Sequence, residues 1–287
     1  MKKYVYLLAV VGLCLGACQR QPEASRPVAA AQRAQPAPAA EAVATSNKMA
    51  APASAVAQAV APLTPEMQDF LRKYDLTKVW CTATPEGPAT YPNNGFFGAE
   101  RYRIEMVFLE MHRDEQRPGL MRVRGKSRYK KIITPFEGTL TISEIRDLRA
   151  DPEILISESN PAYSVVGQFE LREDPTTKGA GVYRGNFGLD FQLDGDEGLL
   201  LVDAGQDLAA RNAGTLFEGE WVSNKTGNRK PILWGQDFTA IGNEILEEFS
   251  VGMREVQINP KYVKLGWDTY WENDEWWVEA ASPTARL

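Results

Sequence analysis

The chain runs to 287 residues with 32 lysines and arginines against 38 aspartates and glutamates, a net charge of −6. That acidic balance argues against nucleic acid as a partner. A single histidine, His112, leaves little material for histidine-based nucleophilic chemistry, and no Gly-x-Ser-x-Gly, His-Glu-x-x-His or phosphate-loop motif occurs.

Lys2 and Lys3 form a short basic head, followed by an apolar run over Tyr4–Leu15 that only Gly12 breaks. A spanning helix needs about 20 apolar residues, so this run reads as the hydrophobic region of a signal peptide. It ends in Leu15-Gly16-Ala17-Cys18, small residues before a cysteine. This resembles the lipobox of bacterial lipoproteins, and the resemblance is confined to the first 18 residues. It implies that residues 1–17 are removed and that Cys18 carries diacylglycerol as the new N-terminus, so that lipid makes the membrane a partner. Gln19 after that cysteine, rather than Asp, implies export to the outer membrane of a Gram-negative envelope. Several acyl chains would anchor the protein firmly where one would be marginal.

Residues 18–62 are rich in Ala, Pro, Gln and Ser, with hardly any large apolar side chain. Such a segment cannot bury enough surface to offset its ordering entropy and is expected to be a disordered tether. Flexible chain of that length reaches roughly 35–40 Å. Residues 63–287 then form the globular domain. Thr64-Pro65-Glu66 signals a helix start, with Thr64 as N-cap and Pro65 in the first turn. Met67, Phe70, Leu71 and Tyr74 follow at helical spacing and predict a short docking helix. With Cys14 in the signal peptide and Cys18 lipidated, Cys81 alone remains, so no internal disulfide is expected. Val79-Trp80-Cys81-Thr82 reads as strand, with Cys81 a buried inert thiol rather than a nucleophile, which would need a base.

Beyond Leu76 the period becomes 2. Tyr102, Ile104, Met106 and Phe108 alternate until the phase slips at Leu109, which predicts a β-bulge. Leu140 and Ile142 alternate with Thr139, Thr141 and Ser143, and Val165, Gly167, Phe169 and Leu171 also alternate. Tyr183 to Leu193 forms the longest such run, and Asp194-Gly195 turns it into Gly198–Val202 as a hairpin. Ile241, Ile245, Leu246 and Phe249 fall on one face of a second short helix over 241–249. The fold class expected is all-β and mainly antiparallel, a barrel or a sandwich, with one or two short helices. Tyr102-Arg103, Gly119-Leu120 and Phe136-Glu137-Gly138 recur in order as Tyr183-Arg184, Gly198-Leu199 and Phe217-Glu218-Gly219. That suggests an internal repeat, 100–145 and 181–226, built on a duplicated β-meander. Gly219-Glu220-Trp221 resembles the Gly-x-Trp strand of lipocalin- and avidin-like barrels. The resemblance spans three residues and implies a barrel without implying a ligand.

Arg122, Arg124, Lys126, Arg128 and Lys130 occupy every second position and would line one strand face. Two readings fit. One is an anion site for lipid A phosphates or an acidic polysaccharide. The other is a solvated face paired across the sheet with Glu105 and Glu110. Glu110, His112 and Asp114 alternate too, but one strand rarely supplies a whole metal site, and neither metal nor cofactor is expected. Asp194-Gly195-Asp196-Glu197 lacks the spacing of a calcium loop and reads as a polar turn. The C-terminus gathers Trp267, Trp271 and Trp276 beside Asp268, Glu272, Asn273, Asp274 and Glu275. Indole faces next to carboxylates suit sugar stacking, making the three tryptophans candidate glycan-binding residues, while the alternative is that they close one end of the β-core. The functional expectation is a membrane-tethered binding or structural module of the envelope, its ligand a glycan or an anionic envelope component. Alternatives are a carboxylate-based glycan hydrolase, whose two acids must meet in space, and a subunit of an envelope assembly.

Overall fold

The computed structural model describes residues 62–84, 87–150, 160–195, 198–203, 205–247, 257–272 and 274–278. The signal segment, Cys18 and the tether up to residue 61 lie outside the described residues, as do Asp196, Glu197, Phe249 and Asn273.

Helix α1 spans Pro65–Lys73, with the Thr64 hydroxyl accepting from the Met67 amide at 3.3 Å. Leu71 is buried, and Phe70 packs on Tyr163 and Phe191 with centroids 4.6 and 6.5 Å apart. A 3-10 turn over Leu76–Val79 follows, capped by Asp75. The strand expected at Val79-Trp80-Cys81 begins only at β1 (Thr82–Thr84), which pairs with β2 (Gly87–Ala89). The Asp75 carboxylate accepts from the Thr77 amide and hydroxyl, which winds the preceding residues into the turn instead.

The main sheet comprises β3 (Asn93–Phe97), β4 (Tyr102–Arg113), β5 (Leu120–Tyr129), β6 (Ile132–Asp147), β7 (Ala162–Glu173), β8 (Gly181–Asp194), β9 (Gly198–Leu201), β10 (Thr215–Ser223) and β11 (Arg229–Gly235). All its pairings are antiparallel. Strands β3 to β8 follow one another as a meander; β10 then pairs with β8, and β11 links β10 to β3. The sheet thereby closes into a ring, which pairs most of the edges an open sheet would expose and leaves β9 as an edge strand. The ring is not a regular barrel, because β8 shares one edge between two partners. Gly181–Leu189 pairs with β10, and Phe191–Asp194 pairs with β9.

Two-residue alternation decides which side chains fill the ring. Met121 and Val123 of β5 are buried inward while Arg122 and Arg124 face solvent. Tyr183, Phe187, Leu189, Phe191 and Leu193 of β8 all enter the main core. Phe217 and Trp234 stack at its centre, 5.3 Å apart, and Trp80 plugs the space from below, edge-on to Phe187. Aromatic pairs of this kind add about 0.5–1.5 kcal/mol beyond the area they bury. The bulge falls where the phase slip predicts it, between Phe108 and Glu110, opposite Gly125. A Cβ on Gly125 would sit 2.4 Å from the Phe136 ring, so the bend needs glycine there.

A second, smaller core lies on the outer face of β3 and β11. Phe96 packs with Phe238, Ile245, Leu246, Tyr262 and Trp267. The helix expected over 241–249 is not formed in its described part. A 3-10 turn covers Phe238–Ala240, and β12 (Leu246–Glu247) pairs with β13 (Gln257–Ile258). Gly242 breaks the helical run and lies so close to Phe238 that a Cβ there would be 2.4 Å from its ring. The apolar residues of the predicted face are nevertheless used: Ile245 and Leu246 are buried, and Ile241 packs against the same cluster.

The two Phe-Glu-Gly segments occupy β6 and β10, with buried Phe136 and Phe217 and exposed Glu137 and Glu218. Their strand orders differ. β5 lies between β4 and β6, whereas β10 bypasses β9 and pairs directly with β8.

Candidate functional site

The register of β4 against β5 sets the basic ladder opposite acids: Glu105 faces Arg128, Glu110 faces Arg124 and His112 faces Arg122. Arg124 pairs with Glu110 at 3.3 Å and Arg122 with Asp114 at 3.4 Å; both arginines and Glu110 are solvent-exposed, and Asp114 is partly covered. The lower half of the ladder is covered. Arg128 holds Glu105 through Nε at 2.5 Å and through a second guanidinium nitrogen at 2.8 Å, and it also pairs with Asp274. Lys126 donates to the Trp277 carbonyl at 2.9 Å, and the Lys130 ammonium sits 4.0 Å above the Tyr102 ring. Arg122, Arg124, Lys126 and Arg128 leave by one strand face, and the C-terminal segment divides them into an exposed pair and a covered pair; Lys130, expected as the fifth, lies past the end of β5 in the turn and is exposed, because the chain reverses there.

That segment carries the three tryptophans, and the structure separates their roles. Trp267 is fully buried in the outer core, stacked on Phe238 at 4.5 Å, with its indole N–H donating to the Arg101 carbonyl. It is therefore not available to a ligand; burying its apolar area outweighed display. Trp271 remains 59% exposed, braced edge-on by Tyr270 at 4.6 Å. Trp276 lies 5.0 Å from the Arg128 guanidinium, so the two sequence features meet on one wall.

Beneath them, Arg103 and Glu105 are buried although both leave β4 outward. Arg103 donates to Glu105 at 2.9 Å, to Asn94 at 2.9 Å and to Thr269 at 3.1 Å, with Tyr270 beside its guanidinium plane. Burial lowers the pKa of Arg103, opposed chiefly by Glu105. The Asp274 carboxyl is held below the usual aspartate value, first by its hydrogen bond to Arg128 and then by that charge.

Sequence reasoning missed Glu173. It ends β7 in the inward phase of Val165, Phe169 and Leu171, and it is buried at the mouth of the ring opposite α1. One carboxylate oxygen accepts from the Ser127 and Tyr183 hydroxyls at 3.0 and 2.8 Å; the other accepts from the Gly181 amide and the Trp221 indole at 2.8 and 2.9 Å. Extending the period-2 run two residues past Leu171 would have revealed an acid aimed inward. At the opposite end, Asp190 leaves β8 outward and is covered by residues 205–214. It accepts from Ser164 at 2.6 Å and from the Ala210 amide at 2.9 Å, and burial raises its pKa against those two bonds. Among the described residues the buried carboxylates Glu105, Glu173 and Asp190 thus lie at three separate places, each engaged by its own donors.

Glu110 and Asp114 are taken up by Arg124, Arg117 and Arg122, while exposed His112 lines a polar groove of about 370 Å³ beside α1. Among the described residues no group of three or more His, Cys, Asp or Glu side chains is arranged to hold a metal. The Cys81 thiol donates to the Leu109 carbonyl at 3.1 Å, and burial, with Glu110 nearby, raises its pKa and disfavours the nucleophilic thiolate. No family model, no curated protein and no solved structure matches the chain.

Proposed function

We propose that the protein is a lipid-anchored, non-catalytic binding module of the bacterial cell envelope, and that its outer wall at Trp271 contacts a glycan. The Leu15-Gly16-Ala17-Cys18 sequence supports the anchor, and the Ala/Pro-rich stretch after it supports a spacer that lifts the body off the membrane. The observation that carries the binding reading is the exposed Trp271 indole, held by Tyr270. Tyr270 in turn lies against Arg103, which the buried Glu105 fixes. A preorganised aromatic face offers a pyranose its C–H contacts at little entropic cost, and the exposed Asp268 and Glu272, close to it in sequence, supply hydroxyl acceptors. A solid aromatic ring interior suits a rigid scaffold better than a hydrolase, whose two acids would need to face one cleft.

Two measurements test this. Radiolabelled palmitate is expected to enter the full chain made in a Gram-negative bacterium, and Cys18→Ala to abolish the label; an unlabelled wild-type chain removes the anchor. Tryptophan emission titrated with peptidoglycan fragments, lipopolysaccharide sugars and capsular polysaccharides is expected to respond saturably to at least one of them. Trp271→Ala should weaken that response at least tenfold. A flat wild-type response across the panel removes the glycan reading.

A further inference from the structure

At the mouth of the ring, above Glu173, a recess of about 160 Å³ opens between aromatic walls. Phe97, Tyr129 and Trp221 line it, Ile132 stands at its lip 53% exposed, and Lys178 and Lys230 guard its rim. Phe97 packs on Tyr129 at 4.3 Å and on Trp221 at 5.4 Å, so these walls are braced against one another. The rim is cationic. The ladder arginines Arg122, Arg124 and Arg128 each pair with a carboxylate. Among the described residues neither Lys178 nor Lys230 has a carboxylate partner. The Lys230 ammonium rests instead over the Phe97 and Tyr129 rings at 5.0 and 5.9 Å. Two unneutralised cations beside an apolar recess, on a chain of net charge −6, are complementary to an anion with an apolar body.

The adjoining hairpin points the same way. Lys130 and Lys131 form the two-residue turn between Tyr129 and Ile132, with φ of 50° and 65°. Turns of that hand favour Asn-Gly, since positive φ is unfavourable for lysine. The chain nonetheless places two cations there, directly before the exposed Ile132 and Ile133. The turn thus carries charge and apolar surface to the cavity lip at the cost of positive φ in two lysines.

We infer that this mouth binds a single-chain anionic amphiphile, its alkyl end among the Phe97, Tyr129 and Trp221 rings and its phosphate or carboxylate head on Lys178 and Lys230. The Glu173 charge at the floor keeps the head at the rim, and the donors around its oxygens leave the rings facing the recess. The volume lies below the roughly 300–1,000 Å³ of ordinary small-molecule sites, which suits the end of a short chain. This site depends neither on the lipid anchor nor on Trp271.

The test uses the full chain held in nanodiscs of zwitterionic lipid, with empty nanodiscs subtracted. Octyl phosphate and octanoate, below their micelle-forming concentrations, are expected to change tryptophan emission saturably, and Trp221→Phe to remove most of that change. Octyl glucoside should bind at least tenfold more weakly, and inorganic phosphate should produce no change. Lys178→Gln with Lys230→Gln should reduce octyl phosphate to the octyl glucoside level while leaving near-ultraviolet circular dichroism as in wild type. The inference is overturned by the absence of a saturable response, by equal affinity for octyl glucoside, by an equal response to inorganic phosphate, or by indifference to the lysine pair.

Discussion

The two oxygens of Glu173 are not equivalent. One faces two hydroxyls, Ser127 and Tyr183, which can either donate or accept; the other faces the Gly181 amide and the Trp221 indole, which can only donate. Glutamine fits this environment in one orientation, with its carbonyl toward Gly181 and Trp221 and its amide toward the hydroxyls. Glu173→Gln is therefore expected to cost no more than about 1 kcal/mol, the net worth of a typical hydrogen bond. Glu173→Ala strands two buried obligate donors, at about 1–3 kcal/mol each, and should cost about 3 kcal/mol or more. Urea unfolding of both variants decides the matter, and equal losses would show that shape rather than hydrogen-bond polarity governs the site. Among single residues, those whose role follows from local pattern were readable from the sequence, including the Thr64 cap and the pairing of the basic face with Glu105 and Glu110, though not which arginine meets which acid. Trp267 and Trp271 were not separable, because neighbouring tryptophans in one aromatic-rich stretch carry no local signal of which one a distant Phe238 will cover.

At the level of elements, the β5–β6 hairpin holds the clearest conflict between local preference and observed geometry. Each L-residue held in the left-handed region costs roughly 1–2 kcal/mol relative to glycine-compatible chemistry. Replacing Lys130-Lys131 by Asn-Gly is therefore expected to raise stability by about 1–2 kcal/mol, read as a higher urea midpoint with an unchanged slope. No gain, or a loss, would mean that the cation–π contact of Lys130 with Tyr102 offsets the strain. The long strands were legible because each has one face in the core, which imposes strict alternation, and even the Leu109 slip showed. The stretch over 241–249 misled because its apolar spacing fits a helix, while Gly242 and the pull of the outer core favour turns over the described part. The closing pair β8–β10 was not legible, since alternation says which face is buried but not which distant strand will lie alongside.

For the whole molecule, the ring core and the outer core are stabilised by different chemistry, and acid should separate them. The C-terminal cover rests on Phe96 and Phe238 through Trp267 and is pinned near its end by Asp274 on Arg128. Arg128 holds the Asp274 pKa below its unfolded value of 3.8. The stability gained from that pair is therefore complete above about pH 3.8 and disappears as pH falls through the lower folded value. Asp190, which anchors residues 205–214 at the far end of the ring, runs the other way. Its folded pKa is raised, so falling pH protonates it in the folded state first and relieves the cost of burying its charge. Acid below about pH 3.8 should thus loosen the C-terminal cover while the 205–214 segment and the ring persist. Near-ultraviolet circular dichroism and tryptophan emission are expected to change at a higher pH than the far-ultraviolet β signal. Asp274→Asn, which lacks the titrating group, should show the loosened spectrum already at neutral pH and lose that first step. A wild-type chain whose near- and far-ultraviolet signals fall together would mean that the outer cover and the ring melt as one unit. The Arg128–Asp274 pair would then be only a surface ornament on a single cooperative fold.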